Sequence, residues 1–294
     1  MARVADRLPE NADGDFYVDA SCIDCGTCRE VAGATFAIAG SATDQSYVRR
    51  QPGSDAERLR ARMALVACPT SSIGAVSKPD LRDAIAAFPE PIEPGLGVDF
   101  LGYAAESSFG ARSYLVRREG GNVMVDSPRA TRALGDGIDA LGGVRQIFLT
   151  HRDDVADHAH WAARFSAERI LHRADVAPGT RDVERKLEGD DPVELAPDLL
   201  AIPVPGHTRG SVALLYAGEI LFTGDHLWAT EDGERLHASR SVCWYSWPEQ
   251  TRSMERLLDH DFTVVLPGHG RRFRARSAAA MREELERLIG RVRG

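Results

Sequence analysis

The chain has 294 residues, with 44 acidic and 36 basic side chains, a formal net charge of −8, and 43% hydrophobic and 27% charged residues. This predicts a globular protein of about two domains and excludes disordered and collagen-like classes. The acidic balance sets aside nucleic acid and anionic membrane as main partners, and no apolar run reaches the roughly 18–20 residues that span a bilayer.

The opening stretch MARVADRLPENADGD is charged and lacks an apolar segment, so residues 1–14 read as a tail and the cytoplasm is the expected compartment. Residues 15–85 form the first domain. Within it, SDAERLRARMALVAC (54–68) predicts a helix, with Ser54 as N-cap and Asp55 and Glu57 in the first turn. FPEPIEPGLGVDF (88–100) carries three prolines and two glycines, which suits an extended connection, and the linker is placed at 86–100. From residue 101 to 294 short apolar strands alternate with turns and helices. SYLVRR and NVMVDSP predict two strands joined by the EGG turn. RQIFLTH predicts a buried strand ending at a histidine. LLAIPVPGH, SVALLYAGEILFTGDH and DFTVVLPGH repeat one theme: an apolar run, a glycine, then a ligand-type residue. Helices are expected over ATRALGDGIDAL, VADHAHWAARF, WPEQTRSMERLLD and SAAAMREELERLIGRV; the last, with its i,i+4 charge pairs, reads as a packed surface helix.

Four of the five cysteines, Cys22, Cys25, Cys28 and Cys68, fall into one pattern: CIDCGTC and a distant ACP. In a reducing compartment such clustering favours metal binding over cross-linking. Three thiolates three residues apart in a glycine-containing loop can ligate three irons of one inorganic core; a remote fourth closes the cage, and the following proline turns the chain away. The alternatives are a four-cysteine zinc site, which more often uses two separated C-x2-C pairs, and four unligated thiols. The pattern resembles single-cluster bacterial-type ferredoxins, which implies a [4Fe–4S] cluster held by all four cysteines. Cys243 reads as inert core.

His151, Asp157, His158, His207, Asp225 and His269 lie at the ends of different apolar runs and could converge on one edge of a sheet sandwich. Imidazole with carboxylate suits Zn, Fe or Mn over Ca or Mg, and Asp225 could bridge two ions. His160, His172, His237 and His260 sit in no ligand-like frame and read as solvated or core residues; His226, next to Asp225, is intermediate.

Five segments in this order resemble the metallo-β-lactamase fold: MVDSP (Asp126, the second-shell aspartate), LTHRDDVADH, PGHT, FTGDH and PGHG. The resemblance implies an α+β multidomain chain, with a small ferredoxin-like α+β domain followed by a four-layer αββα sandwich. It also implies one or two Fe or Zn ions. The family's main loop reads His-x-His-x-Asp-His, whereas here it runs from His151 through Asp153, Asp154 and Asp157 to His158, two residues longer and without the second histidine. Asp153 or Asp154 takes that histidine's place. One site would then use His151, His207 and an aspartate, the other Asp157, His158 and His269, with Asp225 bridging. A harder oxygen donor favours iron or manganese, as in the flavodiiron branch, and His151, His207 and Asp225 match the iron site of the persulfide dioxygenase branch. Loss of one metal site from the longer loop is the competing reading. Asp157 and Asp225 are the expected catalytic carboxylates. The aromatic SVCWYSWPEQ (241–250) is expected as a pocket wall, a lid or a docking surface.

Two functions follow. A fused cluster favours an iron-dependent oxidoreductase of O2, NO or a sulfur compound, fed by an electron-donor reductase. The alternative is a hydrolase of a thioester, ester or lactam, in which a metal-bound water is the nucleophile and the cluster is structural or sensory. Either takes a small-molecule substrate. The oligomeric state is not legible in the sequence.

Overall fold

The computed structural model describes residues 1–40 and 44–293. Contacts gather them into two compact units: residues 1–145 with 156–166, and residues 146–155 with those from 167 onward.

The first unit opens with β1 (Phe16–Val18). The glycine of CIDCGTC, Gly26, adopts φ +75° and starts α1 (Thr27–Ala32), a left-handed position that glycine occupies without strain. A hairpin of β2 (Phe36–Ile38) and β3 (Ser46–Val48) follows. The predicted helix is α2 (Asp55–Ala67), and Ser54 Oγ accepts the Glu57 N–H at 3.2 Å as its N-cap. Its buried face carries the small residues Ala61, Ala64 and Ala67, which admit α1 closely. β4 (Ile73–Ala75) returns antiparallel to β1, which brings Cys68 back to the first three cysteines.

After α3 (Arg82–Ala86) the structure departs from the expected linker. β5 (Glu90–Glu93) pairs antiparallel with β6 (Val98–Phe100), and β6 pairs with β7 (Tyr114–Val116). Residues 88–100 are therefore a hairpin, not a free connection. The prolines fit because β5 is the last strand of its sheet, where a missing N–H costs no ladder bond, and Pro94 heads the short 3-10 turn between the strands. β7 continues antiparallel into β8 (Val123–Val125), and α4 (Arg132–Ala140) is capped by Thr131. The helix expected from residue 155 begins three residues later, as α5 (His158–Phe165). Ala156 has φ +26°, and its N–H is donated to Ser108 Oγ. Asp157 spends its carboxylate on the Ala130 N–H at 2.7 Å rather than on its own helix.

The second unit holds parallel β9 (Gln146–Phe148), β10 (Glu168–His172) and β11 (Arg185–Leu187). It also holds a six-stranded sheet of β12 (Val193–Ala196), β13 (Leu199–Pro203), β14 (Val212–Tyr216), β15 (Ile220–Gly224), β18 and β19, with a small β16 (Trp228–Ala229)/β17 (Leu236–His237) hairpin beside it. α6 (Trp247–Arg256) precedes β18 (Val264–Pro267) and β19 (Phe273–Arg274), and α7 (Ala278–Arg293) closes the chain. β14 and β15 are buried along their whole length, which is why they read as continuous apolar runs without alternation. Met254, Leu257, Met281, Leu285 and Leu288 of the helical segments join Ile202, Leu221 and Val265 of the sheet in one core. Each such side chain contributes about 1.5–3 kcal/mol through burial. β15 and β18 run parallel, and β13 points the same way. The residues that follow these strands, His207, Asp225 and His269, thus emerge at one end of the sheet.

Candidate metal centres

Cys22, Cys25, Cys28 and Cys68 line one pocket with Val18, Ile23, Pro69 and Ile73. All four thiols are free. Burial pushes the Cys22, Cys25 and Cys28 thiols above their ordinary range, Cys28 furthest, and the neighbouring thiols add to the rise. Four sulfurs gathered in an apolar pocket are suited to a polycationic core, which would hold them as thiolates. Two of the sulfurs are already hydrogen-bonded: the Ser72 N–H donates to Cys68 Sγ at 3.3 Å, and the Cys25 thiol donates to Thr27 Oγ1 at 3.5 Å.

The second centre lies among loops of the second unit. His151, three residues beyond β9, and His207, four beyond β13, are buried, with ring centroids 4.8 Å apart and planes at 89°. The His207 Nδ1 hydrogen bond to the Val242 carbonyl, at 2.6 Å, requires the proton on Nδ1. Nε2 is then a bare lone pair, the form a metal needs. Among the described residues it reaches no hydrogen-bond partner, and neither does His151 Nε2. Both point at Asp225 Oδ2, at 3.7 and 3.9 Å. Two buried imidazole nitrogens without partners, converging on one carboxylate, leave a gap that a cation fills. Burial, opposed in part by the nearby carboxylates, pulls the His151 imidazole down to about 4, so it is neutral and ready to ligate at neutral pH. Burial works against ionisation of Asp225, but the His269, His151 and His207 imidazoles outweigh it and hold that carboxyl far below its ordinary range. His269 Nδ1 binds both Asp225 oxygens, at 2.8 and 2.9 Å.

Both aspartates of the long loop face this centre. The ligand atoms of His151, Asp153 and His207 lie within 4.8 Å of one another, as do those of His151, Asp154 and Asp225. Asp153 Oδ2 is 3.5 Å from His207 Nε2, and that imidazole lowers its carboxyl from the usual range; Asp154 is buried. The glycines of FTGDH and PGHG are explained here. A Cβ on Gly268 would stand 2.5 Å from Asp154 Oδ2 and 2.9 Å from Asp225 Oδ1, and one on Gly224 would stand 2.4 Å from Thr150 Oγ1.

Comparison with known proteins bears on the cysteine segment and on the fold. Residues 18–75 match the family described as the 4Fe-4S single cluster domain of ferredoxin I. The B3 metallo-β-lactamase BLEG-1 superposes with a TM-score of 0.51 at 16% identity, over 65% of this chain and 99% of that one, a likeness of fold. Residues 18–75 thus match a single-cluster ferredoxin family, and the chain carries a metallo-β-lactamase fold. Hydroxyacylglutathione hydrolases of Anaeromyxobacter dehalogenans (strain 2CP-C) and Fuscovulum blasticum are 38% identical over 125 residues and 32% identical over 133 residues. These alignments take in 40% and 43% of this chain and 46% and 51% of the relatives, so the chain spans about half the length of the curated relatives it matches. The family matched by residues 18–75 carries a [4Fe–4S] cluster, and the grouped His and Asp ligand atoms could hold a metal ion.

Other expected residues of the chain fall elsewhere. Asp157 and His158 belong to the first compact unit and join neither group of grouped ligand atoms. Asp157 is exposed and bonded to Ala130, while His158 is buried as the first residue of α5. Asp126 is buried at the end of β8 with φ +54°. His226 is fully buried and its imidazole is pushed down to about 3, chiefly by burial. His172 is a satisfied core histidine, bonded to the Gly189 carbonyl and the Ala174 N–H. His160 lies against Trp161 and His237 against Trp228. Cys243, expected as core, is only half-buried and donates its thiol to the Gly206 carbonyl. Its neighbours form a wall anchored on a ligand: the Trp244 and Tyr245 N–H groups both donate to the His207 carbonyl, and the Trp244 ring, 64% exposed, lies 6.2 Å from the His207 ring.

Sequence reasoning missed Asp175. It is buried, accepts the Arg152 and Gly210 N–H groups at 3.0 and 2.7 Å, and accepts the Thr208 hydroxyl. It ties the His151 loop to the His207 loop. Its segment, LHRADV, has no ligand-like frame that could have marked it.

Proposed function

We propose that the protein is an iron-dependent oxidoreductase of a small molecule, O2, NO or a sulfur compound, with electrons exchanged through the cysteine-bound cluster. The observation that carries this reading is the convergence of His151 Nε2 and His207 Nε2 upon Asp225 Oδ2, in a chain that also matches a ferredoxin family over residues 18–75. Two histidines and one carboxylate with open positions form the donor set of non-haem iron sites, and iron bound there would supply one-electron chemistry to a small ligand. In this reading Cys22, Cys25, Cys28 and Cys68 hold the cluster, while His151, His207 and Asp225 hold the single ion. Asp153 and Asp154 flank that ion in place of a further histidine, and His269 orients Asp225 by binding both of its oxygens. Trp244 and Tyr245 wall the approach. Electrons reach the cluster from a separate reductase.

The second reading, hydrolysis of a thioester, ester or lactam, is favoured by the names of the two curated relatives. A metal count separates the two. Anaerobically purified protein is expected to hold about five iron per chain, and a C22S/C25S double variant about one. Zinc in that residual site, with turnover of a hydroxyacylglutathione undiminished in the double variant, would replace the redox reading with the hydrolytic one.

A further inference from the structure

Against the cysteine loop lie residues from far outside the ferredoxin match. Gly110, 35 residues beyond its end, lies against Cys25. A Cβ at that position would stand 2.3 Å from Cys25 Cβ and 2.7 Å from Cys25 Sγ, and Gly110 takes φ +85°, so only glycine fits. The contact is fastened by Thr27 Oγ1, which donates to the Gly110 carbonyl at 3.2 Å. Two residues on, immediately before β7, stands Arg112. Its side chain is 1% exposed, among the largest fully buried side chains of the protein. Its Nη2 lies 3.7 Å from where a Cβ on Gly26 would be, that is, against the loop between Cys25 and Cys28. The other guanidinium at this loop, Arg29, is engaged by Asp24 and Ser46.

We propose that Arg112 is a potential-setting residue of the iron–sulfur centre, through which the metallo-β-lactamase-fold part of the chain fixes the redox poise of the ferredoxin part. The inference rests on the assignment of the cluster to the four cysteines. A guanidinium does not deprotonate in proteins, so burial leaves it a permanent positive charge. Reduction of the cluster by one electron adds one negative charge within its field. In a desolvated pocket that attraction is little screened, and net charge near the cluster is among the factors that set its potential. Arg112 therefore favours the reduced state, and its removal makes the cluster harder to reduce. The thiol of Cys25 also feels this charge, which opposes the rise caused by burial. Arg112 lies outside the 18–75 ferredoxin match, so the effect comes from the part of the chain beyond that match.

The test uses the full chain with its cluster reconstituted anaerobically, in wild type, R112K and R112Q. Iron is counted, and the reduced cluster is then titrated by electron paramagnetic resonance against dithionite. At fixed potential the reduced-to-oxidised ratio is expected to fall about tenfold in R112Q, which for one electron is 59 mV. In R112K it is expected to fall about threefold, because the charge is kept on a shorter head. R112Q with full iron and a wild-type titration curve overturns the proposal, as does R112K falling below R112Q. If R112Q sheds its iron, R112M, which also removes the charge, decides in its place: a ratio lowered about tenfold supports the proposal and an unchanged one overturns it. A wild-type protein that assembles no cluster, or a C22S/C25S variant that keeps one, defeats the underlying cluster assignment and with it the proposal.

Discussion

Asp175 shows how a residue that touches no metal can govern a metal site. Its two oxygens hold Arg152, Thr208 and Gly210, so it fixes the backbones that carry His151, Asp153 and His207. In D175N the new amide group cannot accept the hydrogen bonds that one carboxylate oxygen accepts now. One or two buried donors are left without a partner, at about 1–3 kcal/mol each. The folded protein is expected to survive, while metal affinity falls about 10–100-fold, as with other residues that orient ligands; competition with a chelator measures this directly. Retained affinity with a lowered melting temperature would make Asp175 a structural residue only. G268A acts more bluntly, because the added Cβ displaces the Asp154 and Asp225 carboxylates from a distance of 2.5–2.9 Å. It is expected to lose its metal while its circular dichroism stays native. At this scale the recurrent frames PGHT, FTGDH and PGHG marked His207, Asp225 and His269, which the fold brings to one end of a sheet. The sequence could not choose between Asp153 and Asp154, because the answer lies in facing both His207 and Asp225 at once. Asp175 was invisible, since only folding brings residues 152, 175, 208 and 210 together.

Elements were legible where period and cap agreed. Ser54, Asp55 and Glu57 marked the start of α2, and S54A is expected to cost about 1 kcal/mol in urea unfolding of the reconstituted protein. The prolines of 88–100 misled because they exclude a central strand but not an edge strand, and a sequence does not say which strand is last. The start of α5 misled for a different reason. Its pattern from residue 155 is helical, but Ala156 and Asp157 are claimed by Ser108 and Ala130. A less visible link joins β10 to the segment before β11: Arg169 donates to Glu184 through its backbone N–H, Nε and Nη2. The guanidinium holds the Glu184 carboxyl down at about 2, against an ordinary 4.5. A depressed carboxyl stabilises the fold above its unfolded value and loses that contribution as pH falls toward its folded one. The melting-temperature gap between wild type and E184Q is therefore expected to be full above about pH 5, to narrow below 4.5 and to close near 2. A gap independent of pH would mean that the pair acts through shape and not charge.

At the scale of the whole chain the composition pointed to two domains, and the motifs gave them their chemistry. What the sequence placed as the joint, residues 86–100, is β5 and β6 of a sheet, and the compact unit that begins at residue 1 continues to residue 145. The physical reason is that the cysteine-bearing segment does not close on itself. The Ala67 carbonyl at the end of α2 accepts the Ala104 N–H at 3.1 Å, the Val66 carbonyl accepts Arg129 Nη2 at 3.3 Å, and Gly110 packs on Cys25. No linear pattern announces such contacts, because each joins residues more than 30 positions apart. They make a sharp prediction for dissection of the chain. A fragment beginning at residue 87 keeps every ligand of the histidine centre, all of which lie beyond residue 150. Yet it strips the partners from Ala104, Gly110 and Arg129 and exposes surface that the cysteine segment now covers. It is expected to melt well below the full chain and to aggregate, while the full chain with C22S/C25S, which keeps the polypeptide in place, melts closer to wild type. Comparing the two melts separates the loss of the cluster from the loss of the segment that holds it. A fragment as stable as the full chain would make residues 86–100 a true joint and the contacts at Ala67, Val66 and Cys25 incidental.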